Sequence, residues 1–138
     1  MSKSSIVFDT NTLLSSLLQN HSVSYKAVLL ALGHFQICFS DETWNELAEV
    51  TQRPKFAKYF LGEERDAFLF VLAQAAEFIA VTQTVNDCRD PKDNKFLDLA
   101  LSTQAICIVS GDKDLQVLNP YHGIDICSPA DFLTRYSR

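Results

Sequence analysis

Short apolar runs alternate along the chain with longer stretches in which apolar residues recur at helical spacing. The short runs have the length and the β-branched or aromatic side chains of strands. They predict five strands, at Ser5–Phe8, Gln36–Phe39, Phe78–Val81, Ile106–Val109 and Ile124–Ile126. Strands that alternate with helices usually form a mostly parallel sheet, so the pattern predicts an α/β fold.

The longer stretches predict six helices. The clearest is Gly62–Glu77, where Glu63 and Glu64 occupy the first turn, which the helix dipole favours for acids. Its apolar residues recur on one face; they are Phe68, Leu69, Leu72, Ala75 and Ala76. The other predicted helices are Thr12–Leu18, Ser24–Leu32, Asp41–Val50, Asn94–Gln104 and Pro129–Tyr136.

Length and composition fit one domain with a core of its own. The chain has 138 residues, 47% of them hydrophobic, so we expect residues 1–138 to form a single domain. No apolar run approaches the roughly 20 residues of a membrane helix, and the first residues lack the apolar core of a signal peptide. These features predict a cytoplasmic protein that does not bind membranes.

The cysteines are not spaced as metal ligands. Cys38, Cys88, Cys107 and Cys127 lie far apart, and no pair has the spacing of a zinc knuckle. All but Cys88 stand in apolar strings, which is typical of buried, reduced thiols. The three histidines are isolated as well. We therefore interpret the cysteines as core residues and leave the histidines out of the chemistry.

Acidic residues follow several of the predicted strands. Asp9 comes directly after the first strand, Asp112 and Asp114 follow the fourth, and Glu46 lies on the helix after the second. In parallel sheets the functional side chains collect outside the carboxyl ends of the strands. The sequence therefore predicts a cluster of carboxylates at this edge.

The segment "CRDPKDNKFLDLAL" adds further acids before and within a predicted helix. At about 100° per residue, Phe96, Leu97 and Ala100 define an inward stripe. Asp93 projects onto that stripe at its N-terminal end, whereas Asp98 falls to the side. Asp93 is therefore the better candidate for the cluster, with Asp98 as a flanking residue.

Two interpretations of these acids remain open. Asp9, Asp93 and Asp112 each stand where a helix can start, and an aspartate at such a position often serves as the N-cap. Several carboxylates at one edge, however, repel one another unless a cation neutralises them. Oxygen ligands alone favour Mg²⁺ or Mn²⁺, which can activate water and bind a phosphoryl oxygen. The second interpretation, a shared cation, predicts that the chain hydrolyses phosphodiesters or phosphomonoesters.

Four segments carry a resemblance to a known family: "IVFDTNTLLSSL", "SDETWNELAEVTQRPKF", "DPKDNKFLDLAL" and "IVSGDKDL". In this order they resemble the PIN-domain nucleases, and within that family the VapC-like toxins of bacterial toxin–antitoxin systems. The resemblance implies a three-layer α/β/α sandwich with a central, mostly parallel sheet. It also implies a Mg²⁺- or Mn²⁺-dependent endoribonuclease, with RNA as substrate, a cognate antitoxin protein and a homodimer.

The same resemblance assigns roles to individual residues. It implies four catalytic metal ligands, which are Asp9, Glu46, Asp93 and Asp112. Asp114 would be a further ligand, and the supporting residues would be Asn11, Asp98 and Ser110.

A net charge of −5 is unusual for an enzyme that binds nucleic acid. Much of the excess lies in the acidic set itself, and bound cations would invert it locally. The stretch "QRPKFAKY" supplies Arg53, Lys55 and Lys58 with Phe56 and Tyr59 between them. We interpret it as a strip that binds a single strand by charge and stacking. A solvated surface loop fits the same residues.

Two other functions fit parts of the sequence. A haloacid-dehalogenase-like phosphatase also uses an aspartate at the end of a strand, but it needs an acid two residues later as proton donor, where this chain has Asn11. A phosphomonoester assay separates that activity from a nuclease. A non-catalytic module could bind metal or RNA without cutting, and cleavage of a labelled strand with and without Mn²⁺ discriminates that case.

Overall fold

The computed structural model describes residues 3–137, so residues 1, 2 and 138 of the expected domain lie outside the described part. Its five-stranded sheet has the order β3-β2-β1-β4-β5, and all neighbouring strands are parallel. The strands are β1 (Ser5–Phe8), β2 (Gln36–Phe39), β3 (Glu77–Phe78), β4 (Cys107–Val109) and β5 (Asp125–Cys127).

Helices connect the strands and cover the sheet. Those described are α1 (Thr10–Leu18), α2 (Val23–His34), α3 (Asp41–Val50), α4 (Gly62–Ala75), α5 (Asn94–Thr103), α6 (Lys113–Gln116) and α7 (Pro129–Tyr136). Two single turns of 3-10 helix, Pro54–Phe56 and Pro91–Asp93, precede α4 and α5. Within the described residues, none of these helices is long and apolar enough to cross a membrane.

The strands bury side chains on both faces of the sheet, as their apolar sequences require. In β1, Ile6 and Phe8 belong to one core cluster and Val7 to the other. The first cluster includes residues of α2 and Phe132 of α7, and the second includes much of α5. Helices therefore lie on both faces, which confirms the predicted α/β/α sandwich.

The register of the sheet aligns the carboxyl ends of its central strands. Phe8 pairs with Val109, and Val109 pairs with Cys127. The ladder continues one residue further, because the Asp9 amide donates to the Val109 carbonyl at 3.1 Å and the Ser110 amide to the Cys127 carbonyl at 2.9 Å. Asp9 and Ser110 are therefore held side by side at the carboxyl edge of the sheet.

Four of the predicted elements, β1, β2, α3 and α7, have the predicted ends. The third strand was placed wrongly at Phe78–Val81, because pairing begins at Glu77 and the last ladder bond runs from the Ile79 amide to the Phe39 carbonyl, at 2.8 Å. The fourth strand begins at Cys107 instead of Ile106, and the fifth covers Asp125–Cys127 instead of Ile124–Ile126.

Most other helix ends differ by one or two residues. Helix α1 begins at Thr10 instead of Thr12, because Asp9 caps it. Helix α4 ends at Ala75, two residues before the predicted end, and the Gln36 side-chain amide donates to the Ala75 carbonyl at 2.8 Å. The observed α2 and α5 are Val23–His34 and Asn94–Thr103, against predictions of Ser24–Leu32 and Asn94–Gln104.

Candidate active site

Asp9 is the most buried acid of the candidate site. It is the N-cap of α1, and its Oδ1 accepts a hydrogen bond from the Thr12 amide at 2.9 Å. Its Oδ2 accepts from the Ser110 hydroxyl at 2.5 Å. Burial raises the pKa of Asp9 above its ordinary value, against the opposing effect of these hydrogen bonds, and the charge of Asp112 raises it further. The site therefore holds a carboxylate whose negative charge is poorly solvated.

The turn after β4 places a second acid beside Asp9. The Ser110 hydroxyl that donates to Asp9 also accepts from the Asp112 amide at 2.9 Å. The Asp112 Oδ1 accepts from the Asp114 amide at 2.8 Å and so caps α6. The Gln116 side chain, in α6, donates to the Ser110 carbonyl at 2.8 Å and so holds the turn against that helix. Ser110 thus joins the two acids, as a supporting residue would.

Glu46 connects three helices through its carboxylate. It is half-buried on α3, and its Oε1 accepts from the Thr10 hydroxyl at the start of α1. Its Oε2 lies 2.8 Å from the Lys95 ammonium of α5. Both oxygens therefore have a donor, and their direction is fixed by neighbouring elements.

Asp93 differs from the other acids of the cleft because one of its carboxylate oxygens is buried without a hydrogen-bond donor among the described residues. It stands at the N-cap position of α5, but its side chain makes no capping hydrogen bond. Its Oδ2 is buried without a hydrogen-bond partner in the described residues. Burial, followed by interaction with Asp112, raises the pKa of Asp93 to about 7. Two carboxylates can share a hydrogen bond only while one is protonated, so after ionisation the pair only repels.

These observations bear on both interpretations of the acids, helix capping and a shared cation. Asp9 and Asp112 do cap helices, as the simpler interpretation allows. Asp93 does not, and its orphaned oxygen is a cost that a hard cation would remove. The set of ligands offered is all oxygen, which suits Mg²⁺ or Mn²⁺. The residues present therefore fit the divalent ion that the sequence predicts.

The acids line one cleft of about 260 Å³ at the carboxyl edge of the sheet. Its walls include Asp9, Thr10, Asn11, Glu46, Val50, Arg53, Asp90, Lys92, Asp93, Phe96 and Asp112. A second polar cleft, of about 450 Å³, shares Asp9, Asn11 and Asp112 and continues toward Ser15 and Ser24. The four predicted ligands thus face one space, and Asn11 lies where the two clefts meet.

Asp98 lies elsewhere. Its Oδ1 accepts from the Val85 amide at 2.8 Å, and it lines a neighbouring cleft together with Lys95. Asp114 is half-buried and contacts Asp112 through its backbone amide. Both residues therefore flank the acidic cleft, and their predicted roles stay predictions.

The predicted RNA-binding strip lies between α3 and α4. Arg53 lines the acidic cleft and forms an exposed ion pair with Glu49 at 2.9 Å. The ammonium groups of Lys55 and Lys58 are exposed and stand 5.1 and 5.2 Å from the ring centres of the residues that follow them, Phe56 and Tyr59. Cations and rings are therefore interleaved in this stretch, and Arg53 connects it to the acidic cleft.

The sequence did not single out two residues that contact the acids, Thr10 and Lys95. Thr10 follows Asp9 directly, which was a usable signal. Lys95 lies two positions after Asp93, but its partner is 49 positions away in α3, and helical periodicity does not identify such a pair. Asp90 and Lys92 also line the cleft and belong to the same acidic segment.

A second group of side chains, two cysteines and an aspartate, also brings possible metal-ligand atoms close together. In residues 3–137, three such atoms lie within 4.8 Å of one another in Cys107, Asp125 and Cys127. Asp125 is already bound by Arg135 at 2.8 Å and by the Tyr136 hydroxyl at 3.0 Å. Contact with Cys127, and then burial, raise the pKa of the Cys107 thiol. All four cysteines are buried and free, which confirms their interpretation as core thiols.

The protein is an α/β/α sandwich with a parallel sheet and an acidic cleft at the carboxyl edge of that sheet. The family model described as PIN domain matches residues 5–114, and the chain belongs to this family, whose members are generally nucleases. The predicted membership is therefore confirmed.

One relative and two solved structures are similar to the chain over most of its length. The chain is 29% identical over 146 residues to the uncharacterized protein MJ1680 of Methanocaldococcus jannaschii, covering 99% of this chain and 94% of that protein. The crystal structure of PAE2754 from Pyrobaculum aerophilum has a TM-score of 0.61 at 12% identity, covering 95% of this chain and 88% of that one. The crystal structure of VapBC2 from Rickettsia felis, bound to a DNA fragment from its promoter, has a TM-score of 0.60 at 14% identity. The match covers 88% of this chain and 96% of that one. At these identities the two structures show the fold.

Proposed function

We propose that the protein is a Mg²⁺- or Mn²⁺-dependent endoribonuclease that hydrolyses RNA phosphodiester bonds. The observation that carries the proposal is the buried, unpartnered Oδ2 of Asp93 in a cleft with four further carboxylates. A set of acids that repel one another is costly to fold, and metal binding is the use that offsets the cost. Membership in the PIN domain family supports a nuclease in particular.

In this proposal Asp9, Glu46, Asp93 and Asp112 hold the ion, with Asp114 as an additional ligand. A divalent ion held there supplies an activated water and positive charge against the phosphate oxygens. The Ser110 hydroxyl keeps the Asp9 carboxylate in place through its 2.5 Å hydrogen bond. Exposed Asn11, where the two clefts meet, offers amide donors to a phosphate or a ribose.

The direct test is incubation of the purified protein with a panel of RNAs in EDTA, Mg²⁺ or Mn²⁺. We expect cleavage within the strand only when a metal is present. A phosphomonoester substrate and a matched single-stranded DNA accompany the panel. Release of phosphate from the monoester without strand cleavage would indicate the phosphatase, and metal binding without any product would indicate a non-catalytic module.

Arg53, Lys55 and Lys58 are proposed to bind the RNA backbone. Changing Lys55 or Lys58 to Gln removes one phosphate contact, so each change should weaken RNA binding and reduce the slope of log affinity against log salt by about 0.7. Fluorescence anisotropy over a salt series in Ca²⁺ measures this slope.

Lys3→Gln is the matched control for these variants. Lys3 is exposed and precedes β1, at the opposite end of the strand from Asp9. The Lys3→Gln change alters the net charge by the same amount as the other two changes. Because Lys3 lies away from the proposed RNA surface, the salt dependence of RNA binding by Lys3→Gln should equal that of the unaltered protein. If Lys55→Gln and Lys58→Gln show the same slope as Lys3→Gln and the unaltered protein, the RNA binds to another surface.

We extend the proposal to a toxin that is paired with an antitoxin. The fold similarity to the Rickettsia felis complex supports this extension, since that complex is named as VapBC2. An unrestrained ribonuclease would damage its own cell, so a protein that binds and restrains it is expected. A homodimer and a cytoplasmic location belong to the same proposal.

A further inference from the structure

Lys95 occupies an unusual place for a lysine. Its side chain is only 11% exposed, whereas lysines are almost never buried unless paired. It also lies in the first turn of α5, where the helix dipole disfavours a cation. Both conditions oppose an ammonium group at this position. The contact with Glu46, at 2.8 Å, is the charged contact that compensates for them, and the Phe96 ring, whose centre is 5.5 Å from the ammonium group, adds a weaker attraction.

A purely structural ion pair between α3 and α5 is a poor explanation of this arrangement. Exposed ion pairs contribute little to stability, and buried ones often contribute less than apolar residues of the same size. A half-buried pair such as this one lies between these cases. The ammonium group also donates to the Lys92 carbonyl, in the turn that carries Asp93. Lys95 is thus tied both to the Glu46 carboxylate and to the backbone beside another acid of the cleft.

The charges of the cleft can be counted from these residues. The lining acids Asp9, Glu46, Asp90, Asp93 and Asp112 contribute five negative charges when ionised. Arg53 and Lys92, which also line the cleft, and Lys95, which pairs with Glu46, contribute three positive charges. One divalent cation balances the remaining two negative charges, and loss of the Lys95 charge would leave one negative charge more for a second ion. A second divalent ion on the Oε2 side of Glu46 would stand next to this fixed positive charge and be repelled by it.

We propose that Lys95 takes the place of a second metal ion, so that the site binds a single divalent cation. Lys95 acts as a positioning residue, because it directs Oε2 of Glu46 while Thr10 directs Oε1. The inference rests on the proposed metal-dependent function and specifies how many ions that function uses.

The test counts Mn²⁺ bound per chain by electron paramagnetic resonance, without RNA, in the unaltered protein and in Lys95→Gln and Lys95→Arg. We expect one ion in the unaltered protein and in Lys95→Arg, which keeps the charge. Lys95→Gln should bind a second ion at least about tenfold more tightly than the unaltered protein does, since removal of a like charge at this range is worth that much or more.

Thermal unfolding of each variant accompanies the titration. Two ions in the unaltered protein would overturn the role of Lys95, and this result does not depend on whether any variant folds. A folded Lys95→Gln that is less stable but still binds one ion would overturn it too, by making Lys95 purely structural. Absence of any bound Mn²⁺ in the unaltered protein would instead contradict the proposed function, as would one bound ion without cleavage in the RNA assay.

Discussion

Asp9→Asn should leave a folded protein that no longer cleaves RNA. Asn is as good an N-cap as Asp, so its side-chain oxygen can still accept from the Thr12 amide and its amide group can face Ser110. The change removes the negative charge at the centre of the cleft. Changes to residues that merely support a metal ligand already cost 10- to 100-fold, so we expect turnover to fall by roughly 100-fold or more.

The measurement is the initial rate of Mn²⁺-dependent cleavage, with circular dichroism and thermal unfolding as tests of folding. Asp131→Asn is the matched control, because Asp131 is an exposed aspartate in the first turn of α7. It should cleave at the rate of the unaltered protein. An Asp9→Asn variant that retains full metal-dependent activity would exclude Asp9 as a ligand and remove the basis of the proposed mechanism.

The sequence predicted the edge of the sheet where the acids meet, and the reason lies in the strands. Once β1 and β4 are recognised as buried parallel neighbours, Asp9 and Ser110 have to emerge at the same edge. Helical periodicity likewise placed Asp93 toward the core and Asp98 beside it. The periodic spacing of apolar residues in the strands and helices was therefore enough to predict where most of the acids lie.

What the sequence did not predict depends on side-chain reach and on short elements. Helix α6 has four residues, too few for any periodicity to be recognised. The apolar residues of the predicted strand Phe78–Val81 continue past Phe78, but pairing with β2 ends there. The contact of Lys95 with Glu46 joins two helices through long side chains, and only the packing of α3 against α5 brings them together.

Asp93→Asn should have opposite effects on stability and on metal binding. The pKa of Asp93 is raised to about 7 in the folded protein, against an ordinary value of 3.8. Between these values the folded state binds more protons than the unfolded one, so the free energy of unfolding falls as pH rises from about 4 to 7. The destabilisation is complete above pH 7 and absent below pH 4. An amide cannot ionise, and it can donate to Asp112 at any pH.

Urea unfolding in EDTA across this pH range measures the effect. We expect the midpoint of the unaltered protein to fall with pH and that of Asp93→Asn to change less, so that the variant is the more stable at pH 8. Mn²⁺ at 100 times its dissociation constant should stabilise the unaltered protein by about 2.7 kcal/mol and the variant by much less. Asp131→Asn should follow the unaltered protein in both respects. If Asp93→Asn is instead the less stable protein at pH 8 in EDTA, the Asp93 charge is not a cost that metal removes.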